Sequence, residues 1–308
     1  MRRLFFCWLL LASLTLSLLA GCEAQEQGST LTADILKIGK ADCTLFQERE
    51  TSYMIDTGEA ENAPRILEAL KEKNVDHLDA LIISHFDKDH VGGAAQILEA
   101  VTVDRVIEPD YTPDNPEAEA YVSYRQALEK SGVAVTKVSD KLELTQGTAS
   151  LTILGTGGRA YAKNGDNNAS LLVYITHGGN RLLFAGDVEK QRIQDLLSTG
   201  VTSCDFLKVP HHGRYNSALP EYFQALGMKT AAITCSNKNP ADAETLAALE
   251  SLGCKVYETV NGDVRVTSSA SGIRDSQRYI APAFSCLEKV PPQRRMWRGP
   301  IKAKDELR

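Results

Sequence analysis

The stretch S-H-F-D-K-D-H-V-G-G, Ser84–Gly93, places two histidines and two aspartates close together in the chain. It follows the apolar run L-D-A-L-I-I, residues 78–83, which predicts a buried strand. Two glycines then lead into A-A-Q-I-L-E-A, residues 94–100, which predicts a helix. Taken alone, the stretch is either a solvated turn or one half of a metal site.

Residue spacing around the end of a strand suggests how the stretch could bind metal. Residues two apart point to the same side of a strand, so His85 and Asp87 could bind one cation. After the turn, Asp89 and His90 could face a second cation. Gly92-Gly93 would let the backbone pack closely beneath such a site.

Other histidines and aspartates also follow predicted strands. The chain has six histidines, and two of them are adjacent at His211-His212. Asp56 in I-D-T-G and Asp187 in F-A-G-D follow two further strands. Because sites in layered α/β folds gather at strand ends, Asp187 could bridge two cations and His211 could complete the second set. Two such cations can activate a hydroxide between them.

The order of predicted elements indicates the fold class. Strand clusters open each half of the chain and helices are interspersed, which predicts two sheets packed face to face with helices outside. We therefore expect an α/β fold, a four-layer αββα sandwich, over residues 33–268. H-G-G-N at 177–180 predicts one hairpin, and Asn261-Gly262 predicts a second between the strands on either side of it. The predicted helices cover residues 64–73, 94–100, 116–130, 188–198, 220–226 and 241–252.

The N-terminal sequence resembles a bacterial lipoprotein signal. Arg2-Arg3 precede a charge-free apolar run over residues 4–20, and L-A-G-C ends at Cys22. We expect residues 1–22 to be a signal peptide, Cys22 to be the lipidation site, and residues 23–32 to be a polar tether. An ordinary signal peptide and an N-terminal membrane anchor are the alternatives. The signal predicts a protein outside the cytoplasm, held at the bacterial membrane by its lipid.

Charge and cysteine usage limit the choice of function. The net charge is −6, which disfavours a strong non-specific grip on nucleic acid. It leaves a nuclease open, because bound divalent cations supply positive charge locally. The cysteines show no C-x-x-C spacing, and a Cys235–Cys254 bridge is one possible pairing. Residues 269–308 lack hydrophobic periodicity, so we expect a basic, poorly ordered tail.

Together the motifs resemble those of the metallo-β-lactamase-fold hydrolases. The ordered set is I-D-T-G, S-H-F-D-K-D-H-V-G-G, N-N-A-S-L-L-V, L-L-F-A-G-D and L-K-V-P-H-H-G, within residues 33–268. More narrowly, it is similar to the soluble hydrolase domain of ComEC-type competence (DNA-uptake) proteins. The channel-forming helices of a complete competence protein are absent from the sequence given.

The resemblance implies a dinuclear site at one edge of the αββα sandwich. It implies that His85 and Asp87 bind one metal and that Asp187 bridges to the other. The second metal would be bound by three residues, namely Asp89, His90 and His211. Asp56 would support the site from behind, and His212 would donate a proton or contact phosphate. We therefore expect Asp89 and His212 to be catalytic and the cofactors to be two divalent cations, zinc or manganese, with magnesium possible.

Two departures from the usual superfamily pattern affect this interpretation. Asp87 stands where histidine is commoner, and a carboxylate favours Mn²⁺ or Mg²⁺ over Zn²⁺. The superfamily also offers a histidine between the first motif and G-D, whereas His177 is predicted to face solvent in a hairpin turn. Asn167-Asn168 occupy the expected place and would touch substrate or a metal-bound water. Ser217 is a further candidate for substrate contact.

Three functions are compatible with these residues. The first is a tethered metal-dependent hydrolase whose hydroxide attacks a phosphodiester, in a small molecule or in nucleic acid. The second is hydrolysis of a carboxylic ester, lactone or β-lactam by the same hydroxide. The third is a binding lipoprotein that retains the fold without catalysis. No protein partner is predicted.

Overall fold

The computed structural model describes residues 28–279, which form two large sheets and one small one. The strands are β1 (Leu31–Ile35), β2 (Thr44–Glu48), β3 (Thr51–Ile55), β4 (His77–Leu78), β5 (Ala80–Ile82), β6 (Thr102–Val103), β7 (Arg105–Pro109), β8 (Ala134–Val138), β9 (Lys141–Gln146), β10 (Ala149–Leu154), β11 (Leu172–His177), β12 (Asn180–Phe184), β13 (Phe206–Lys208), β14 (Thr230–Ile233), β15 (Lys255–Glu258), β16 (Gly262–Ser269) and β17 (Gly272–Tyr279). Within the same residues, no helix is long and apolar enough to cross a bilayer.

The helices lie between and beyond these strands. They are α1 (Ala63–Glu72), α2 (Lys88–Val91), α3 (Ala94–Ala100), α4 (Glu119–Ser131), α5 (Gly165–Asn168), α6 (Lys190–Thr199), α7 (Leu219–Leu226) and α8 (Ala243–Ser251). Pro64 lies in the first turn of α1, where its missing N–H leaves no helical hydrogen bond unmade. Gly132 ends α4 with a left-handed conformation, φ 66°.

Each large sheet has an antiparallel part and a parallel part. The first sheet has the order β17-β16-β1-β2-β3-β5-β7-β8, and β3, β5, β7 and β8 run parallel. The second has the order β15-β14-β13-β12-β11-β10-β9, and β12 to β15 run parallel. The carboxyl ends of parallel strands in each sheet therefore meet at one edge, which is where sites form in such folds.

Three apolar clusters separate four layers, as the sequence predicts. One cluster lies between the sheets, where the ring of Phe46 on β2 meets that of Phe184 on β12 at 5.0 Å in an edge-to-face contact. A second lies between the first sheet and α1, α3 and α4. A third lies between the second sheet and α6, α7 and α8. The predicted αββα sandwich is confirmed.

The two predicted hairpins differ in outcome. The H-G-G-N hairpin is confirmed, since His177 pairs with Asn180 across two glycines with positive φ. The prediction of a hairpin across Asn261-Gly262 is wrong. There β15 closes the second sheet, whereas β16 adds to β1 in the first sheet, so the chain crosses between sheets at this turn.

The C-terminal boundary is also corrected. Residues 272–279, predicted to belong to an irregular tail, form β17 and pair with β16 from Gly262↔Tyr279 to Ser269↔Gly272. The alternation in G-I-R-D-S-Q-R-Y is too polar to reveal a strand by hydrophobic pattern, because β17 is the edge of its sheet. The predicted signal, the tether up to residue 27, the lipidation site Cys22 and residues 280–308 lie outside the described residues.

The remaining cysteine prediction is settled by the same structure. Cys235 and Cys254 are both free thiols and both are buried, so the possible bridge between them is absent from the described residues. Burial raises the pKa of each thiol to about 11, which leaves both in the unreactive neutral form.

Candidate metal centre

The candidate residues converge where parallel strands of the two sheets end. In the first sheet Asp56 follows β3 and His85 follows β5; in the second, Asp187 follows β12, His212 follows β13 and Thr234 follows β14. All five side chains are buried. Five positions far apart in sequence are thus brought together by the strand order of each sheet and by the packing of the two sheets.

The short helix α2 presents Asp89 and His90 to this point. Its backbone is held by neighbouring loops, because Asp42 N–H donates to Asp89 O at 3.0 Å and Thr57 N–H donates to His90 O at 2.7 Å. A Cβ at Gly93 would lie 2.3 Å from the carbonyl oxygen of Thr57. The glycine is therefore required by close approach of two backbones, as the sequence suggests, although its φ of −83° is ordinary.

Several ligand-type atoms face one another without hydrogen bonds. His90 Nε2 lies 3.3 Å from Asp187 Oδ1, and His212 Nε2 lies 3.1 Å from Asp187 Oδ2. His85 Nε2 completes one group with His90 and Asp187. The buried Nε2 atoms of all three histidines and Oδ1 of Asp187 lack a hydrogen-bond partner in the described residues. Such atoms require a partner, and imidazole and carboxylate are the ligands that divalent cations take.

Two overlapping triads of ligand atoms can be distinguished. One consists of His85, His90 and Asp187, and the other of Asp89, His90 and His212. In each triad the ligand atoms all lie within 4.8 Å of one another. Nε2 of His90 can bind only one cation, because Nδ1 faces Asp56. The residues present therefore fit two neighbouring divalent cations if the carboxylate of Asp187, whose two oxygens face different histidines, serves both.

The charges of the centre lead to the same conclusion. Burial opposes ionisation of Asp187, but the imidazoles of His212 and His90 outweigh it and hold the pKa of Asp187 well below its ordinary value. Burial likewise opposes protonation of His212, but Asp187 and Asp42 raise its pKa to about 10. The cluster thus demands positive charge, which protons on histidine or bound cations can supply.

Hydrogen bonds from behind orient two of the histidines. His90 Nδ1 lies 2.8 Å from Asp56 Oδ2, and Ser84 donates to both oxygens of the same carboxylate. His85 Nδ1 lies 3.1 Å from Ser84 Oγ. Both rings therefore turn Nε2 towards the centre, as metal-binding histidines require. Asp56 occupies the supporting position expected from the sequence.

A buried polar chain orients His212, and sequence reasoning missed most of it. His212 Nδ1 lies 3.0 Å from Thr234 Oγ1, which donates a short hydrogen bond to Asp42. Asp42 is in turn ion-paired with Lys208, whose side chain is 3% exposed. A lysine inside the apolar strand F-L-K-V, directly before the histidine pair, is the signal that could have revealed this chain.

The two adjacent histidines lie in positions opposite to those expected from the sequence. His212 Nε2, not His211, lies in the group with Asp89 and His90. His211 is 28% exposed, its Nε2 is 4.0 Å from Asp187 Oδ2, and its Nδ1 is 3.2 Å from Glu189 Oε1. Both histidines have left-handed backbone, φ 48° and 53°, a strained arrangement that adjacency in sequence does not predict.

Asp87 lies at the rim rather than in the buried cluster. Its side chain is 43% exposed, and Oδ2 is 3.6 Å from His85 Nε2. The neighbouring imidazole of His85 is the main influence that lowers the pKa of Asp87. Asp87 therefore lies next to His85, with which it was expected to share a cation, but on the solvent side of it.

The two asparagines have structural partners. Asn168 is buried, and its Oδ1 accepts from the N–H groups of Glu189 and Arg192 at the start of α6. Its amide nitrogen donates to the carbonyls of Lys163 and Asn164, so the predicted contact with substrate or water is wrong for Asn168. The amide of Asn167 donates to Glu189 Oε1 at 2.8 Å.

Two further predictions concern residues outside the cluster. His177, expected to face solvent, is buried, with Nδ1 3.1 Å from Ser268 Oγ and Nε2 3.6 Å from Glu48 Oε1. The turn that holds it is covered by the first sheet, which a local pattern does not show. Ser217 is exposed in the loop before α7, and the structure gives it no contact with the cluster among the described residues.

Lys40 reaches the centre from the loop between β1 and β2. Its Nζ lies 2.6 Å from Asp89 Oδ2, and its side chain is 36% exposed. Burial lowers the pKa of Lys40, but Asp89 outweighs burial and raises it, so the ammonium stays charged.

Comparison with known proteins agrees with this architecture. The family model described as "Metallo-beta-lactamase superfamily" matches residues 37–236. The chain belongs to the metallo-β-lactamase superfamily. Its members are metal-dependent hydrolases.

Curated relatives of this superfamily chain include two bacterial proteins. It is 31% identical over 194 residues to "ComE operon protein 3" of Bacillus subtilis, covering 62% of this chain and 24% of the relative. It is 24% identical over 246 residues to "Recombination protein 2" of Haemophilus influenzae, covering 77% of this chain and 29% of the relative. The chain thus spans about a quarter of the length of these relatives, and the resemblance suggested by the motifs is confirmed.

A solved structure shares the fold at low identity. The "metallo-beta-lactamase fold protein YhfI" from Bacillus subtilis superposes with a TM-score of 0.51 and 14% identity. The match covers 81% of this chain and all of that protein. The superposition supports the four-layer fold of this metallo-β-lactamase-superfamily chain.

Proposed function

We propose that this chain hydrolyses phosphodiesters with two divalent cations, of which manganese and zinc are the first to test. The observation that carries the proposal is the convergence of unpartnered His85, His90, His212 and Asp187 atoms at one strand edge. Five carboxylates belong to or border this cluster: Asp42, Asp56, Asp87, Asp89 and Asp187. Oxygen-rich sites suit the harder cations that commonly act on phosphate.

The relatives support a nucleic-acid phosphodiester as one substrate. One is named "Recombination protein 2", and the motif set resembles the hydrolase domain of DNA-uptake proteins. The net charge of −6 disfavours a strong non-specific grip on long duplex DNA, which requires a basic surface.

Each residue of the centre has a defined task in this proposal. His85, Asp87 and Asp187 would hold one cation, and Asp89, His90, His212 and Asp187 the other. When bound, the cations polarise the phosphoryl group and lower the pKa of water. Asp56 fixes the ring of His90, and the Asp42–Thr234 pair fixes the ring of His212.

In this proposal His211 would move a proton at the open side of the site. Its ring is partly exposed, and Glu189 contacts Nδ1, which directs Nε2 towards Asp187. A histidine held in this way can protonate a leaving alkoxide at Nε2. The proton-donor role that the sequence suggests for His212 therefore passes to its neighbour.

The place of action is part of the proposal. Cys22 would carry a lipid that holds the domain outside the cytoplasm at the bacterial membrane. Expression in a bacterial host with Cys22→Ala as the matched variant tests this. Membrane association of the parent and release of the variant would support the anchor, and identical fractionation of both would oppose it.

The test of function is a substrate panel with metal-loaded protein. Purified residues 28–279 with Mn²⁺ or Zn²⁺ would be assayed on labelled DNA, labelled RNA and bis-p-nitrophenyl phosphate, with Asp187→Asn as the inactive control. Turnover that requires Asp187 supports the proposal. Turnover of nitrocefin or an acyl-lactone, with phosphodiesters untouched, would select the ester, lactone or β-lactam alternative. No turnover, with metal content unchanged in Asp187→Asn, would select the binding protein.

A further inference from the structure

The loop between β1 and β2 holds one lysine at the mouth of the centre. Gly39 turns the chain with φ 85°, and Leu36 N–H donates to Cys43 O across the base of the loop at 3.0 Å. The backbone of Asp42 is hydrogen-bonded to two other segments, since its N–H donates to Asp89 O in α2 and its carbonyl accepts from Gly58 N–H after β3 at 2.8 Å. Lys40 is therefore presented by a braced loop.

The side chain of Lys40 extends from solvent to the carboxylates. Its Nζ lies 2.6 Å from Asp89 Oδ2; the Lys40 side chain is 36% exposed, whereas that of Asp89 is 7% exposed. Among the described residues, Lys40 is the only lysine or arginine within ion-pair distance of Asp89 or Asp187. Lys208 also lies near the centre, but it is 3% exposed and is held behind the cluster by Asp42.

These positions distinguish two kinds of positive charge. Lys208 has no open path to a ligand and neutralises a buried carboxylate. The ammonium of Lys40 is at the open side, next to the atoms that would hold a reacting phosphate. An ammonium is a compact charge with three donors, which suits a phosphate oxygen.

We propose that Lys40 binds a non-bridging oxygen of the substrate's phosphate and so selects anionic substrates. The inference rests on the proposed phosphodiester hydrolysis and assigns its substrate contact. Asp89 Oδ2 is also a candidate ligand atom. A cation held by that oxygen would take the place of the ammonium, and Lys40 would then be free to contact the substrate.

The variants can be matched closely. Lys40→Gln removes the charge and keeps a hydrogen-bonding tip, whereas Lys40→Arg keeps the charge. Lys130→Gln makes the same charge change at a lysine that is 77% exposed and paired with Glu99 on the outer helices. Metal content is measured for all proteins first, so that any loss of cations is seen directly.

The first measurement is binding of inorganic phosphate to the metal-loaded proteins by calorimetry. We expect Lys40→Gln to raise the Kd on the order of tenfold, the cost of one charge-assisted hydrogen bond. Lys40→Arg should restore most of the affinity, and Lys130→Gln should bind as the parent does. An unchanged Kd in Lys40→Gln, or loss of metal from it, would overturn the inference.

The second measurement separates this inference from the proposed function. In Lys40→Gln, KM for bis-p-nitrophenyl phosphate should rise while KM for the neutral ester p-nitrophenyl acetate stays constant. Equal effects on both substrates would refute selection of anions by Lys40. A parent protein that binds phosphate through Lys40 yet cleaves no phosphodiester would refute the proposed function and leave the anion contact standing.

Discussion

Asp56 Oδ2 lies 2.8 Å from His90 Nδ1, and Asp56 itself has a left-handed backbone, φ 59°, one residue beyond β3. The same carboxylate accepts hydrogen bonds from the backbone and the hydroxyl of Ser84, each at 2.7 Å. The buried side chain of Asp56 thus connects three parts of the fold: the end of β3, the loop that follows β5, and helix α2. The orientation of His90 is consequently set before any cation binds.

Replacing Asp56 by asparagine should weaken the metal centre. The amide leaves His90 Nδ1 with a poor acceptor, so the ring is no longer fixed with Nε2 towards Asp187. We expect metal affinity to fall about 10- to 100-fold, the usual effect of losing a partner behind a ligand. Titration with Mn²⁺ and Zn²⁺ measures this. Asp205→Asn, at a carboxylate that accepts from Arg181 N–H just before β13 begins and away from the cluster, should retain parent affinity.

The sequence predicts the four-layer fold because its apolar strands and amphipathic helices follow one another in regular order. It also predicts that His85, His90 and Asp187 belong together, since each follows or closely succeeds a strand. Asp42, Lys208 and Thr234 were missed because their roles depend on the pairing of β13 with β14 and on the meeting of the two sheets. Strand β17 was missed because an edge strand needs little apolar pattern.

The adjacent histidines show a further limit of sequence reasoning. In an extended strand, neighbours point to opposite sides, but His211 and His212 lie in a left-handed turn. Which of them enters the cluster is decided by backbone angles that adjacency in sequence does not reveal.

Substitution of each histidine by alanine should therefore have different consequences. His212→Ala removes a ligand atom of the cluster and should lower metal content and activity together. His211→Ala removes a partly exposed ring and should lower kcat while metal content stays near that of the parent. Elemental analysis alongside turnover measures both. Loss of metal in His211→Ala with retention in His212→Ala would restore the assignment that the resemblance implies.

The buried ion pair of Asp42 and Lys208 should be important for stability. Lys208→Met leaves Asp42 buried without its lysine, and breaking such a pair costs about 3–5 kcal/mol. Asp42→Asn combined with Lys208→Met should recover part of this loss, because no unpaired charge remains. Urea denaturation of metal-free protein gives the free energies of unfolding. Lys130→Met, at an exposed pair, should change stability by less than about 1 kcal/mol.

Glu48 should make stability depend on pH away from the metal centre. Burial opposes its ionisation, but hydrogen bonds from the hydroxyl and the N–H of Thr148 outweigh burial and lower its pKa. Since the folded pKa lies below the unfolded value, the stabilisation is present above the unfolded pKa, about 4.3. It is lost as the pH falls through the folded pKa.

Glu48→Gln tests this dependence directly. The variant should be less stable than the parent at pH 7, and the difference should shrink as denaturation is repeated at lower pH values. Glu143→Gln is a suitable control, because Glu143 is exposed and paired with Lys141 at the surface. If the difference in free energy of unfolding between the parent and Glu48→Gln stayed constant at every pH down to the most acidic one measured, the charge of Glu48 would not contribute to stability.

Exchange of Asp87 for histidine should change the metal preference. Asp87 Oδ2 lies 3.6 Å from His85 Nε2 at the rim, so a carboxylate oxygen is available there. Imidazole is softer than carboxylate and suits Zn²⁺ better than Mn²⁺ or Mg²⁺. We expect Asp87→His to raise the ratio of zinc to manganese affinity by about tenfold or more. Competition titrations with both ions measure this ratio.

Asp87→Asn separates the effect of charge from that of ligand type. It keeps an oxygen donor, so it should lower the affinity for both ions without favouring zinc. An unchanged ratio in Asp87→His would show that Asp87 binds no cation, and would leave the first site to His85 and Asp187.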